Sequence, residues 1–180
     1  MALRTPVSEK DHIAGTEKAV IELLEYGDYQ CPYCGRAYPI VKNIQEKIGD
    51  KMKFVFRNFP LTKIHPHAKM ASVATEAAAR QGKFWEMHDI VFENQKRLHA
   101  SALFEYAETI GLDKEQFSKD LEDEALIRKV ELDFEGGLRS GVNATPTFFI
   151  NGEKYEAEWD EHSLESYIRQ KIKQAENVSS

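Results

Sequence analysis

Hydrophobic and polar positions divide the chain into stretches with different periodicities. Two short apolar runs, over residues 19–25 and 52–59, have the length and composition of buried strands. Between them, apolar residues recur at spacings of three and four, as on one face of a helix, and Gly49 closes the pattern. The first third of the chain is therefore predicted to be β-α-β. The polar residues 1–18 ahead of it are predicted to form a loosely attached leader.

The rest of the pattern predicts a block of helices and then a return to strands. Residues 63–139 show helical periodicity throughout, broken by Gly, Asp and Ser. An apolar run at 147–150, an Asn-Gly turn and a strand over 154–157 predict a hairpin, and an amphipathic helix follows over 161–173. The predicted fold class is α/β, ordered β-α-β then β-β-α, with an all-helical domain inserted at 63–139.

Charge and hydropathy exclude several classes of function. The 24 basic and 30 acidic residues give a net charge of −6, which opposes binding to nucleic acid or to an anionic membrane. No stretch approaches the roughly 18 apolar residues of a membrane-spanning helix, and the first residues lack the apolar core of a secretory signal. We therefore expect a monomer that binds neither nucleic acid nor membrane. A cytoplasmic location is expected, or export if a signal segment has been removed.

The only two cysteines, Cys31 and Cys34, stand where the first strand pattern gives way to the helix pattern. Unpaired N–H groups and the helix dipole stabilise a thiolate at a helix N-terminus, and the thiolate is the form that attacks disulfides. A second cysteine about one turn on can resolve the mixed disulfide. Cys31 is therefore the predicted nucleophile and Cys34 the more buried resolving thiol. Pro32 suits the first helical turn, and Gly35 is expected to leave the neighbouring surface open.

A metal site accounts poorly for the cysteine pair. A CxxC motif is half of a zinc site, but the chain has no further cysteine and no histidine pair at finger-like spacing after it. The run His65-Pro66-His67 also suggests a metal, yet it stands where a helix should begin and has no carboxylate or thiol nearby in the sequence. The sequence therefore predicts thiol–disulfide chemistry with no metal and no organic cofactor.

Two segments carry a family resemblance. Residues 23–39, LLEYGDYQCPYCGRAYP, resemble the active-site segment of DsbA-like thiol–disulfide oxidoreductases of the thioredoxin superfamily. Residues 142–152, VNATPTFFING, resemble the second signature of that family, in which a Thr or Val precedes a cis-proline. The resemblance covers about residues 12–175. It implies a thioredoxin-like domain over 12–62 and 140–175, with the helical block inserted.

The resemblance also implies roles for individual residues. Cys31 and Cys34 match the redox pair, and Pro146 matches the cis-proline that faces it, with the Thr145 backbone turned towards substrate. From the residues alone, an ordinary trans turn at Pro146 stays open, although proline is excluded from most central strands. Glu25 matches a buried acid that moves a proton to or from the second cysteine, and burial should raise its pKa. The alternative is that Glu25 points to solvent.

Tyr33 sets the chain apart from the strongly oxidising members, which have Pro-His between the cysteines. Tyrosine cannot supply the positive charge that histidine offers a thiolate. The Pro32-Tyr33 dipeptide, expected to contact substrate, instead resembles glutaredoxins, whose potentials are roughly −200 to −230 mV. We therefore predict an intermediate potential.

The predicted function is disulfide exchange with protein thiols and disulfides, in the oxidase, reductase or isomerase direction. An unidentified partner, such as glutathione or a thioredoxin system, would recycle the cysteines. Two alternatives stay open. One is a redox-sensing or chaperone-like binding module. The other is a kappa-type glutathione-linked transferase or isomerase, although that group has a Ser or a single Cys at the helix start.

Overall fold

The computed structural model describes all of residues 1–180 and contains a five-stranded sheet and seven helices. The strands are β1 (His12–Ala14), β2 (Ile21–Gly27), β3 (Met52–Asn58), β4 (Thr147–Ile150) and β5 (Glu153–Lys154). The helices are α1 (Pro32–Ile48), α2 (Ala68–Arg80), α3 (Phe84–Glu93), α4 (Ala100–Thr109), α5 (Lys114–Leu121), α6 (Glu124–Arg139) and α7 (Glu161–Val178). Not one of these helices combines the length and the apolar character needed to cross a membrane.

Strand β2 lies at the centre of the sheet, whose order is β1-β3-β2-β4-β5. It runs parallel to β3 and antiparallel to β4. Every residue of β2 except Glu22 is buried, as expected for a strand covered on both faces. The strand ends at Gly27, where a Cβ atom would overlap the ring of Phe56. The predicted β-α-β unit is confirmed, and its central strand leads directly to the cysteines.

The helices α2–α6 follow β3 and precede β4 in the chain. Their buried residues, Met87 and Leu103 among them, belong to the same apolar cluster as Phe56 of β3 and Ile44 of α1. The helical block therefore shares its core with the sheet, and its packing contributes to the rigidity of the strands that carry the site.

The first residues form a strap across the sheet, and the prediction of a loosely attached leader is wrong. We call residues 1–14 the N-terminal strap. Its last residues form β1, which pairs antiparallel with β3. The buried Arg57 guanidinium of β3 donates to the Asp11 carboxylate at 2.7 and 2.9 Å and to the Thr5 carbonyl oxygen at 2.8 Å. A buried guanidinium needs such partners, and only the strap supplies a carboxylate to it.

Two element boundaries differ from the predicted ones. The strand predicted over residues 154–157 is shorter and covers Glu153–Lys154, because the chain turns away after the Tyr155 N–H donates to the Phe148 carbonyl. The last helix reaches Val178, beyond the apolar pattern that ends near 173. Its first turn is capped by the Asp160 side chain, which accepts from the Ser163 N–H at 3.0 Å.

Replacing Arg57 with Met should detach the strap and leave the buried Asp11 carboxylate without its partner. We expect the free energy of unfolding to fall by about 3–5 kcal/mol, the usual loss when one partner of a buried ion pair is removed. Urea denaturation measures this change. The matched control is Lys51→Met, which removes an exposed pair with Glu176 and should change stability by less than about 1 kcal/mol. Equal losses in the two variants would contradict the role given to Arg57.

Candidate active site

Cys31 occupies the N-cap position of α1, where a side-chain acceptor ordinarily receives the unpaired N–H groups of the first turn. Pro32 fills the first helical position and has no N–H group to leave unpaired. The backbone N–H groups of Tyr33 and Cys34 both stabilise the Cys31 thiolate. The helix has no side-chain cap hydrogen bond, so these N–H groups are available to a Cys31 thiolate.

The surroundings of Cys31 lower the pKa of its thiol to about 5. The largest cause is the hydrogen bond from the Cys34 thiol, and burial opposes it. The buried Thr145 side chain lowers the pKa further, as do the first-turn amides. Cys31 is therefore a thiolate at neutral pH, which is the reactive form in disulfide exchange.

Cys34 lies in the first turn of α1 and is fully buried. Burial raises the pKa of its thiol well above the usual range, and the hydrogen bond it donates to Cys31 and the negative charge of Glu25 act in the same direction. The backbone N–H of Asp28 donates to its sulfur at 3.4 Å. Both cysteines are free thiols. The site thus pairs one acidic thiol with one that keeps its proton.

The loop before β4 lies directly against Cys31. The Cys31 thiol sulfur lies 3.5 Å from the carbonyl oxygen of Thr145, which is 114 residues away in the chain. The Thr145–Pro146 peptide bond is cis. Because β4 pairs with β2, the sheet itself brings the second sequence signature to the start of α1.

Pro32 and Tyr33 form an exposed surface beside the buried cysteines. The Tyr33 side chain is 56% exposed. The Arg36 guanidinium lies 4.8 Å from the centre of the Tyr33 ring, within the range of a cation–π contact. A positive charge therefore lies close to Tyr33, although the tyrosine carries none itself.

Glu25 is buried beneath the cysteines, so the alternative that it points to solvent is excluded. Burial raises the pKa of its carboxyl group to about 8, and the negative charge of Cys31 adds to this effect. Its Oε1 atom has no hydrogen-bond partner. A cavity of about 250 Å³ between α1 and α3 is lined by Glu25 together with Tyr38, His88 and Asp89. This volume has room for several water molecules beside these polar side chains.

Gly35 does not leave an open surface, and that expectation is wrong. The Gln95 side chain occupies the space in which a Cβ atom at position 35 would lie. From this position Gln95 Nε2 donates to the carbonyl oxygens of Tyr29 and Cys31, both at 2.9 Å. A side chain at position 35 would displace Gln95, which is one of the contacts by which the helical block holds the cysteine loop, residues 28–31.

Asp28 is a site residue that was not predicted from the sequence. Its carboxylate is fully buried and accepts hydrogen bonds from four groups. These are the backbone N–H groups of Gln30 at 2.8 Å, Cys31 at 3.2 Å and Leu61 at 2.8 Å, and the His65 ring at 2.8 Å. The available signal was an acidic residue three positions before the first cysteine. No group of three or more His, Cys, Asp or Glu side chains is arranged to hold a metal ion.

An acidic thiol at the start of a helix, a second thiol in its first turn and a mixed sheet that leads into both define a dithiol protein of the thioredoxin class. A family model described as thioredoxin matches residues 7–170. The chain therefore belongs to the thioredoxin family, and its structural neighbours are DsbA-like thiol–disulfide oxidoreductases.

Solved structures share this fold over nearly the whole chain. Alpha-DsbA1 from Wolbachia pipientis superposes with a TM-score of 0.86 at 22% identity, covering 99% of this chain and 98% of that one. Oxidised BdbD from Bacillus subtilis superposes with a TM-score of 0.80 at 24% identity, covering 89% of this chain and 92% of that one. The predicted thioredoxin-like fold class is confirmed.

Curated relatives with higher identity are much longer proteins. The Na(+)/H(+) antiporter NhaA 1 of Mycobacterium sp. (strain KMS) is 42% identical over 167 residues, and NhaA of Herminiimonas arsenicoxydans is 40% identical over 169 residues. These matches cover 91% and 93% of this chain but 27% of each relative. The chain thus spans about a quarter of their length, and the match does not carry antiporter activity over to it.

The acidity of Cys31 can be measured by alkylation of the reduced protein with iodoacetamide. We expect the rate at Cys31 to reach half its plateau near pH 5, because only the thiolate reacts. Cys34→Ala removes the donor that most lowers this pKa and should raise the midpoint by at least about one unit. Cys34→Ser keeps a hydroxyl donor and should raise it less. The opposite order of the two variants would contradict the assigned cause.

Glu25 should make stability fall as pH rises. Its folded-state pKa of about 8 exceeds the usual 4.5, so its contribution is complete below pH 4.5 and is lost as pH rises through 8. We expect Glu25→Gln to be more stable than the unmodified reduced protein by roughly 3–5 kcal/mol at pH 9, with no such gain at pH 5. Urea denaturation at both pH values tests this. Glu22→Gln, on the same strand, should show no pH-dependent gain; a gain equal to that of Glu25→Gln would contradict the assignment.

Proposed function

We propose that this protein exchanges disulfides with protein substrates through a mixed disulfide on Cys31, which Cys34 resolves. The observation that carries the proposal is the opposite shift of the two thiol pKa values, downward for Cys31 and upward for Cys34. Groups whose environments push their pKa values apart can take different roles in one reaction. The membership of the thioredoxin family supports the same chemistry.

In the reductive direction, the Cys31 thiolate attacks one sulfur of a substrate disulfide and the other sulfur leaves as a thiolate. Cys34 then attacks the Cys31 sulfur, the bond to substrate breaks, and the Cys31–Cys34 disulfide forms. Glu25 holds a proton near neutral pH, so it first releases that proton to water through the cavity beside it and then accepts the Cys34 proton. The reverse sequence oxidises a substrate dithiol. In that direction Glu25 returns the proton to Cys34.

Substrate would bind across the surface formed by Pro32, Tyr33 and the loop before Pro146. The Thr145 backbone lies beside the reactive sulfur, where an extended chain can pair with it. The exposed ring of Tyr33 offers apolar contact area next to that chain. Flexible or unfolded segments meet this requirement best, because they can adopt an extended conformation at a disulfide.

An intermediate reduction potential is part of the proposal. The Cys31 pKa of about 5 lies between values of about 7 for thioredoxin and about 3.5 for DsbA. A more acidic nucleophile stabilises the reduced form, so the potential should lie between those of the two proteins, at roughly −200 to −230 mV. The cytoplasmic location, the monomeric state and recycling by glutathione or a thioredoxin system stay predictions.

Insulin reduction by dithiothreitol tests the function. The protein should accelerate insulin precipitation, and Cys31→Ala should abolish the acceleration. Cys34→Ala should accumulate mixed disulfides with substrate proteins, visible on non-reducing gels, and equilibration with glutathione should give the potential stated above. A protein that binds unfolded insulin without accelerating its reduction would instead favour the binding module. Trapping by Cys31→Ala rather than Cys34→Ala would reverse the assignment of the nucleophile.

A further inference from the structure

Asp28 is a fully buried carboxylate that takes no part in the proposed exchange chemistry. Burying a carboxylate is strongly unfavourable unless hydrogen bonds replace its hydration. Here its two oxygens serve two different segments. Oδ1 accepts from the N–H groups of Gln30 and Cys31, and Oδ2 accepts from the Leu61 N–H and the His65 ring. Asp28 therefore joins the cysteine loop to the loop that follows β3.

The backbone of the same residue contacts both cysteines. The Asp28 carbonyl oxygen accepts from the Cys31 N–H at 3.1 Å. The Asp28 N–H donates to the Cys34 sulfur at 3.4 Å. A single residue thus fixes the position of each cysteine, while its side chain fixes the residue itself.

The arrangement differs from an ordinary helix cap. A capping aspartate would accept the N–H groups at the second and third helical positions, which here belong to Tyr33 and Cys34. Asp28 accepts from residues ahead of the helix instead, and no side chain accepts as a cap at this end. The first-turn N–H groups thereby stay without a side-chain acceptor, and those of Tyr33 and Cys34 lower the pKa of Cys31.

His65 completes the arrangement from the other side. Because Oδ2 already accepts from the Leu61 N–H, and a carboxylate has no hydrogen to give, the His65 Nδ1 atom is the donor. A carboxylate bound by an imidazole at 2.8 Å has a fixed orientation. The backbone N–H of His67 donates to the Gln30 side chain at 2.7 Å and holds the two loops together at a second point.

We propose that Asp28 is the positioning residue of the redox pair and that His65 holds its carboxylate in place. The inference rests on the proposed function and identifies what aligns the Cys31 sulfur with the first-turn N–H groups. The direction in which the Cys31 pKa changes when Asp28 is replaced distinguishes this role from a simple charge effect. Loss of a nearby negative charge alone would lower the pKa of Cys31, whereas loss of alignment raises it.

The test is the Cys31 thiolate titration of the reduced protein, followed by absorbance at 240 nm. Asp28→Ala should raise the Cys31 pKa by at least one unit, and its potential against glutathione should become more reducing. Asp28→Asn keeps an acceptor for the Gln30 and Cys31 N–H groups, so its Cys31 pKa should stay close to that of the wild-type protein. Asp113→Ala is the matched control, since Asp113 caps α5 and should affect stability without moving the titration.

An unchanged or lowered Cys31 pKa in a folded Asp28→Ala variant would overturn the inference. If that variant does not fold, His65→Leu decides, because it removes one of the two donors to Oδ2 and keeps the Asp28 carboxyl group itself. We expect His65→Leu to raise the Cys31 pKa by at least half a unit. An unchanged pKa would also overturn the inference. The titration does not require turnover. A wild-type protein inactive towards insulin would therefore refute the function, while an unmoved titration in an active protein would refute the role of Asp28.

Discussion

The N–H groups at the start of α1 have no side-chain acceptor, and they stabilise the ionised form of Cys31 at the N-cap position. A helix N-terminus is unfavourable when its amides stay unpaired, and here no Ser, Thr, Asp or Asn side chain accepts from them. A thiolate accepts hydrogen bonds better than a thiol does, so folding of the helix and ionisation of Cys31 favour each other. The rest of the site maintains this contact: β2 directs the chain into the helix, Gln95 holds the loop, and the Thr145 loop closes over it.

The same arrangement reverses the usual order of two acids. The pKa of a glutamic acid is ordinarily 4.5 and that of a cysteine 9.0. Here the pKa values are about 8 for Glu25 and about 5 for Cys31. At a pH between these two values, Cys31 is a thiolate while Glu25 beneath it is a protonated carboxyl group. Burial accounts for the carboxyl group, and directed hydrogen bonds account for the thiol. The protein thus keeps a proton on Glu25, close to the Cys34 sulfur that gains or loses a proton in the proposed exchange.

Local features of the sequence predict most of the fold and the centre of the site. Strands β2–β4, the helices and the strand-to-helix position of Cys31 follow from periodicity and spacing, because each depends on neighbouring residues, whereas β1 lies in the predicted leader. The contacts of Arg57, Gln95 and His65 could not be predicted in this way. Each joins segments tens of residues apart, and their partners become neighbours only once the sheet and the helical block have packed. The leader looked loose because its partners, the Arg57 guanidinium, strand β3 and Glu153, all lie far from it in the sequence.

The sheet ends in very short strands on both sides. β1 has three residues and β5 has two, and Ala2 of the strap bridges to Glu153 beyond β4. Long, flat sheet edges with unpaired N–H and C=O groups recruit extended chains and seed aggregation. With the proposed substrates, extended and partly unfolded chains, the protein would meet that hazard often. With its edges shortened and covered, it can offer one backbone segment for pairing, beside the reactive sulfur, while the rest of the sheet is closed to strand addition.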